Sequence, residues 1–289
     1  MKQGSRKNLS AAGKYFVLAL GWAWLCWVPA ALIGLSSGRT PLVAALHYLG
    51  GVSPLAAALI LLRLEPTAER ADFWRRLVDT RRIAPFWWTV TLLTIPALTA
   101  LAALLDRVLG GAGAQLEAAA DLAENPLAAL PSALLLALFL LIFGPLPEEI
   151  GWRGYALDRL QRGRAENGLG MDALRASLMI GTFWALWHLP LYFIADTFQH
   201  NVGVFTTRYW LITLGLFPTS VLMTWIFNAT QRSTLTAVLF HFMGNWIGEL
   251  FELSPRAEVF LLSITLLAAL GVIVAWQARL APRRSRRSP

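Results

Sequence analysis

The chain has 289 residues, of which 56% are hydrophobic and only 15% charged, and its mean hydropathy is +0.54. That balance excludes an ordinary soluble domain, whose exterior must be polar, and suits a chain whose outer surface meets lipid. The net charge of +8 does not point to nucleic acid, because the basic residues sit in short linkers between apolar runs instead of forming one continuous surface. The single cysteine, Cys26, rules out a disulfide within the chain and a Cys-rich metal site.

Lys2, Arg6, Lys7 and Lys14 precede an apolar run over 15–35. The run is longer than the roughly 7–15 residues of a signal h-region, so it reads as a retained first helix. Further apolar runs of about membrane-spanning length follow at 42–62, 85–105, 131–151, 175–195, 209–228, 234–251 and 259–278. The expected fold is all-α, a polytopic membrane protein of about eight transmembrane helices. With the N-terminus cytoplasmic, Arg39, Arg107, Arg208 and Arg256 fall on the far side and the other 21 of the 25 Lys and Arg fall on the near side. This bias predicts both termini inside, as in a bacterial-type inner membrane.

Three blocks are expected. Residues 1–130 hold the N-terminal helices and a linker, 63–84, that reads as an amphipathic cytoplasmic helix. In it Phe73, Trp74, Leu77 and Val78 are expected to dip into the interface while Arg75, Arg76, Arg81 and Arg82 meet headgroups. Residues 106–130 read as an acidic outside loop bearing Asp106, Glu117, Asp121 and Glu124. Residues 131–251 carry the unusual polar groups, and 252–289 supply a last helix and a basic tail.

A charge at membrane depth costs about 3 kcal/mol on insertion scales, so it needs a partner or a job. Three segments raise that question. In Pro147-Glu148-Glu149-Ile150-Gly151-Trp152-Arg153, Glu149 and Arg153 are four apart and share a helical face, whereas Glu148 is offset by about 100°. Pro145 and Pro147 predict a break or a fresh helix start just before the acids. The second segment is Phe183-Trp184-Ala185-Leu186-Trp187-His188. The third is His241-Phe242-Met243-Gly244-Asn245, whose polar pair again shares a face. Singly, these read as a charged helix end, a satisfied core histidine and an interhelical hydrogen-bonding pair. Together they supply a general base, proton carriers and oxyanion donors, provided the three spans meet. His47 stands alone and reads as structural. Glu249, one turn past Asn245, reads as marking the outer end of its helix, and Asp196 and His200 read as solvated in an outside loop.

The three segments resemble the membrane CAAX-processing endopeptidases, a family of CAAX proteases and bacteriocin-processing enzymes. Its pattern is Glu-Glu-x-x-x-Arg, Phe-x-x-x-His and His-x-x-x-Asn on successive hydrophobic segments. Glu148-Glu149 with Arg153, and His241 with Asn245, match it. In the middle box Trp184 holds the position four before His188, with Phe183 one place earlier. The resemblance implies hydrolysis of a peptide bond in a membrane-associated, possibly prenylated, peptide or protein, with no nucleic-acid partner. Glu148 is then the base that activates water, His188 shares or orients that water, and His241 and Asn245 stabilise the oxyanion. Glu149 and Arg153 support the helix that carries Glu148, and Trp184 is a candidate substrate contact. A zinc version would draw on His188, His241 and either Glu148 or Glu149. The metal-free version is favoured because the chain has no His-Glu-x-x-His helix and Asn is a better oxyanion donor than zinc ligand. A non-catalytic binding or immunity protein, or a transporter, would use the same pocket without hydrolysis.

Overall fold

A computed structural model describes residues 9–116, 126–163 and 168–280. Glu117, Asp121 and Glu124 lie outside the described residues. The chain is nearly all helix. Among the described residues, five helices are long and apolar enough to cross a membrane: Ala11–Ser37, Pro85–Val108, Leu130–Gln161, Thr207–Ala229 and Pro255–Ala278. A sixth crossing arises if the bent pair Pro41–Gly51 and Ser53–Leu62 is one span.

The runs expected at 175–195 and 234–251 do form helices, Ala173–His188 and Thr234–Leu250, but of only 16 and 17 residues. At 1.5 Å per residue each is about 25 Å long, short of a bilayer core of about 30 Å. The first ends where Pro190 turns the chain into a 3-10 segment, Leu189–Phe193. The second ends at a short strand, Phe251–Leu253 (β2), paired antiparallel with Ala114–Leu116 (β1).

The helix boundaries follow from local chemistry. Ser10 caps α1 (Ala11–Ser37) by accepting from the Gly13 amide, and Gly38 ends it at φ 63°. Thr40 and Pro41 start α2 (Pro41–Gly51), and Pro54 in the first turn of α3 (Ser53–Leu62) accounts for a 46° bend between the two. Then come α4 (Thr67–Val78) and α5 (Pro85–Val108). Next, α6 (Pro126–Phe143) stops at Gly144, and α7 (Pro145–Gly151) starts afresh on the two prolines. It runs through a π-helical turn, Trp152–Leu157, into α8 (Asp158–Gln161). The break expected from Pro145 and Pro147 is therefore present.

Asp172 caps α9 (Ala173–His188) through the Arg175 amide. A short α10 (Phe198–Val202) leads to α11 (Thr207–Ala229), α12 (Thr234–Leu250) and α13 (Pro255–Leu280). In the bundle α1 packs on α2, α3 and α9; α11 packs on α9 and α13; and α12 lies between α5 and α7. Gly151 makes close packing at the acid-bearing turn possible. A Cβ there would stand 2.3 Å from the Tyr15 hydroxyl and 2.5 Å from the Pro54 carbonyl oxygen.

Two expectations for the linkers change. In α4, Phe73 and Arg76 turn into the protein, 3% and 2% exposed, while Trp74 and Val78 stay exposed. Arg76 faces Asp72 and Asp158, so it is held by carboxylates of the protein. Asp106 is not a loop acid. It sits at the end of α5, 1% exposed, and accepts from Arg256, from the Ser254 hydroxyl at 2.7 Å and from the Gly113 amide at 2.8 Å. It thereby ties α5 to the β1–β2 corner and the start of α13.

Candidate active site

The acids of α7 lie on the inner side of the bundle. Glu149 and Arg153 are both fully buried, and one Arg153 nitrogen, Nη1, donates to Glu149 Oε1 at 2.8 Å and Oε2 at 2.9 Å. The i, i+4 pair read from the sequence is therefore formed, across the start of the π turn. The other nitrogen, Nη2, reaches the Ser220 hydroxyl of α11 at 3.4 Å, and that hydroxyl donates to the Ser177 carbonyl of α9. Arg153 thus joins three helices. Arg153 and Arg159 are among the 21 basic residues that the charge bias places on the near side, and both are buried within the bundle.

His241, on α12, places Nδ1 2.9 Å from Glu149 Oε1. A carboxylate only accepts, so Nδ1 carries the proton. His188, at the end of α9, places Nδ1 2.8 Å from the Trp184 carbonyl oxygen of its own helix. A carbonyl also only accepts, so neutral His188 keeps an unprotonated Nε2 as a free acceptor.

Glu148 is 7% exposed. Its Oε2 accepts from the Trp184 indole N–H at 2.7 Å, and among the described residues Oε1 has no hydrogen-bond partner. Its charge acts on both imidazoles. The break at Gly144 starts the helix that carries the acids, and Trp184 links Glu148 to the helix that carries His188.

Trp184 occupies the centre of the cluster. Its ring lies edge-on to His241 at 5.2 Å and tilted to His188 at 6.0 Å, and the Arg153 guanidinium stacks 4.5 Å over it. At 3% exposure it bridges the helices that carry Glu148, His188 and His241. The signal for this was in the sequence: a tryptophan brings an N–H that a phenylalanine lacks, and a buried indole N–H seeks an acceptor.

Asn245 stands one turn beyond His241 on the same face and is half-buried. Its amide makes no hydrogen bond among the described residues. It lies against Gly144, where a Cβ would come within 3.2 Å of Nδ2, so the residue at the helix break leaves that amide room. The structure therefore gathers Glu148, Glu149, Arg153, Trp184, His188 and His241 and sets Asn245 beside them. Sequence reasoning missed Ser220, an ordinary helical serine with no local pattern to mark it.

Among the described residues, no three His, Cys, Asp or Glu side chains converge to hold a metal ion. Glu149 is engaged by Arg153 and His241, and each imidazole commits Nδ1 to another partner while keeping Nε2, an arrangement that zinc-bound imidazoles also show.

Residues 130–247, which contain all of these groups, match the family described as Type II CAAX prenyl endopeptidase Rce1-like. The chain is also 27% identical over 262 residues to the CAAX prenyl protease 2 of Methanococcus maripaludis, covering 90% of this chain and 92% of that protein. The resemblance drawn from the three boxes is thus borne out over their whole extent. The helices that carry the buried acids and histidines are an Rce1-like segment, and the chain that contains them is a membrane endopeptidase.

Proposed function

We propose that the protein cleaves a peptide bond in a membrane-associated, CAAX-type peptide or protein, using a water molecule activated by Glu148. One observation carries this reading: Oε2 of Glu148 is held by Trp184, while Oε1 has no hydrogen-bond partner among the described residues. A carboxylate with one fixed and one open oxygen is suited to take a proton from water. Unprotonated Nε2 of His188 is suited to orient that water.

Water oxygen attacks the scissile carbonyl carbon as Oε1 takes the proton. The carbonyl oxygen becomes an oxyanion, stabilised by the Asn245 amide and His241. His241 can donate from Nε2 only when doubly protonated, because Nδ1–H already goes to Glu149. Two carboxylates, Glu148 and Glu149, against one guanidinium, Arg153, leave a negative balance that an imidazolium offsets. Each fixed donor contributes about 3 kcal/mol in a dry site. Collapse of the intermediate breaks the C–N bond, and the proton on Glu148 passes to the leaving amine.

The substrate class rests on the name of the archaeal relative and on burial of the site among apolar helices. We further read Ala173–His188 and Thr234–Leu250 as short crossings that complete eight passes, with both termini cytoplasmic. The Lys and Arg bias supports that orientation. A cysteine in place of Gln115, in a Cys26-free background, is then labelled from the non-cytoplasmic side; labelling only from the cytoplasmic side overturns it.

The test of the reaction is cleavage of a peptide library by purified protein, with and without chelator, beside Glu148→Gln. The expected result is chelator-insensitive cleavage that Glu148→Gln lowers by at least about 100-fold at unchanged melting temperature. Wild-type cleavage by Glu148→Gln refutes the base, and loss on chelation restored by zinc favours the metal-dependent version. Normal assembly with no cleavage of any peptide by the wild type favours a binding protein.

A further inference from the structure

We propose that Trp184 is a positioning residue for Glu148, dedicating one carboxylate oxygen to its indole N–H so that the other is presented to water. The inference rests on the reading of Glu148 as the base. The resemblance puts phenylalanine four residues before His188, and a phenyl ring could supply the packing seen here but no hydrogen bond. In this chain the ring is clamped from several sides. Arg153 stacks at 4.5 Å on it, His241 meets it edge-on at 5.2 Å, and its own carbonyl holds His188 Nδ1 at 2.8 Å. The neighbouring Phe183 stacks on Phe16 of α1 at 3.9 Å, which fixes the rotation of α9 about its axis.

The indole is packed by Arg153, His241 and His188, and Glu148 Oε2 meets its N–H at 2.7 Å. Among the described residues the carboxylate has no other hydrogen-bond partner. Glu149, one residue on, is committed to Arg153 and His241, and α7 turns Glu148 away from that pair. Without the indole the carboxyl group is free to rotate about its last side-chain bond, and neither oxygen is held toward the bound water. The same residue thus couples the rotation of α9, through His188, to the aim of the base on α7.

The experiment compares wild type with Trp184→Phe, which keeps the ring and its stacking on Arg153 and deletes the donor. A hydrogen bond to a charged group that aligns the reacting oxygen corresponds to a loss of about tenfold or more in kcat. KM is expected to stay within about twofold and the melting temperature unchanged. If Trp184→Phe lowers stability, benzothienylalanine incorporated at position 184 replaces the indole N–H by sulfur in the same shape and is scored by the same kcat and KM criteria.

An unchanged kcat overturns the proposal, and so does a rise in KM alone, which would make Trp184 a substrate contact. Glu148→Gln is measured in parallel. If it retains wild-type cleavage, the base assignment fails and takes this inference with it. If Glu148→Gln is inactive while a folded protein lacking the donor turns over normally, only the positioning role is lost.

Discussion

Two buried polar clusters lie on one run of helix, Pro145–Gln161, about 15 Å apart along its axis, and they are wired in opposite ways. Around Asp158 and Asp72, five guanidiniums (Arg76, Arg82, Arg159, Arg162 and Arg232) face four carboxylates (Glu65, Glu69, Asp72 and Asp158). Asp72 alone meets four of the arginines. Around Glu148 there are two carboxylates, one guanidinium and two imidazoles, and one carboxylate oxygen has no hydrogen-bond partner among the described residues. In the first cluster every carboxylate is paired with at least one guanidinium, and the cluster ties α4, α8 and the turn before α12 together. Arg232 and Gln231 adopt left-handed conformations there, φ 62° and 52°, and Arg232 reaches Asp158 at 2.5 Å. In the second, a carboxylate oxygen, the Asn245 amide and one imidazole nitrogen are left open among the described residues. Carboxylates that are all paired mark a fastening, and an open acceptor marks a place for water and substrate.

The contrast breaks most sharply at Arg153. Removing one partner of a fully buried pair leaves the other charge unpaired, at a cost of about 3–5 kcal/mol. Arg153→Ala is therefore expected to lower the detergent-solubilised melting temperature by several degrees and to abolish cleavage. The double change Glu149→Gln, Arg153→Met removes both charges and is expected to recover part of the stability and none of the activity. An Arg153→Ala protein that melts like wild type ends the supporting-pair argument.

At Asp158 the pattern should invert. The carboxylate is 2% exposed and meets Arg76, Arg162 and Arg232, so Asp158→Asn is expected to cost about 3 kcal/mol. Arg76 and Arg162 keep Asp72, which places the loss at the lower end of that range. Folded Asp158→Asn protein should retain kcat within about twofold below its transition, because a charge three helical turns from Glu148 does not aim the base. A tenfold fall in kcat with normal melting would mean that the two clusters are coupled.

How much of this was legible differs between the clusters for a physical reason. Glu149 and Arg153 are four apart, and Pro145 and Pro147 announce the break, so the local wiring of the acid turn could be read from spacing. The partner of Glu148 could not. Trp184 looked like a conservative exchange for phenylalanine, and only the docking of α9 on α7 converts its N–H into a carboxylate ligand. Arg76 and Arg82 of the fastening cluster read as headgroup contacts because their partners come together from α4, α8 and the turn before α12. Even so, Asp72 with Arg76 and Asp158 with Arg162 stand at i, i+4 and hinted that those faces are paired. The span count suffered from a similar limit. Apolar composition marks 175–195 and 234–251 as membrane runs, while the first helix ends at Pro190 within its run and the second at the pairing of Phe251–Leu253 with Ala114–Leu116, a contact remote in sequence.

The smallest expected effect concerns acid, and it sharpens the contrast without touching the site. Asp72 lies on α4, outside the membrane-spanning helices. Burial pushes its carboxyl up, but Arg76, Arg232, Arg82 and Arg162 together outweigh that and hold it below the usual carboxylate value. A group whose folded value is depressed contributes stability that is fully present above its unfolded value, about 4, and is lost as pH falls through the folded value. The melting temperature of wild type should therefore exceed that of Asp72→Asn by a constant margin from about pH 7 to pH 5. That margin should shrink progressively below about pH 4, because protonated Asp72 and asparagine are then alike in charge. A margin that stays constant down to about pH 3 would mean that the four arginines do not act on Asp72 through its charge, and the fastening would have to be explained by packing of α4 alone.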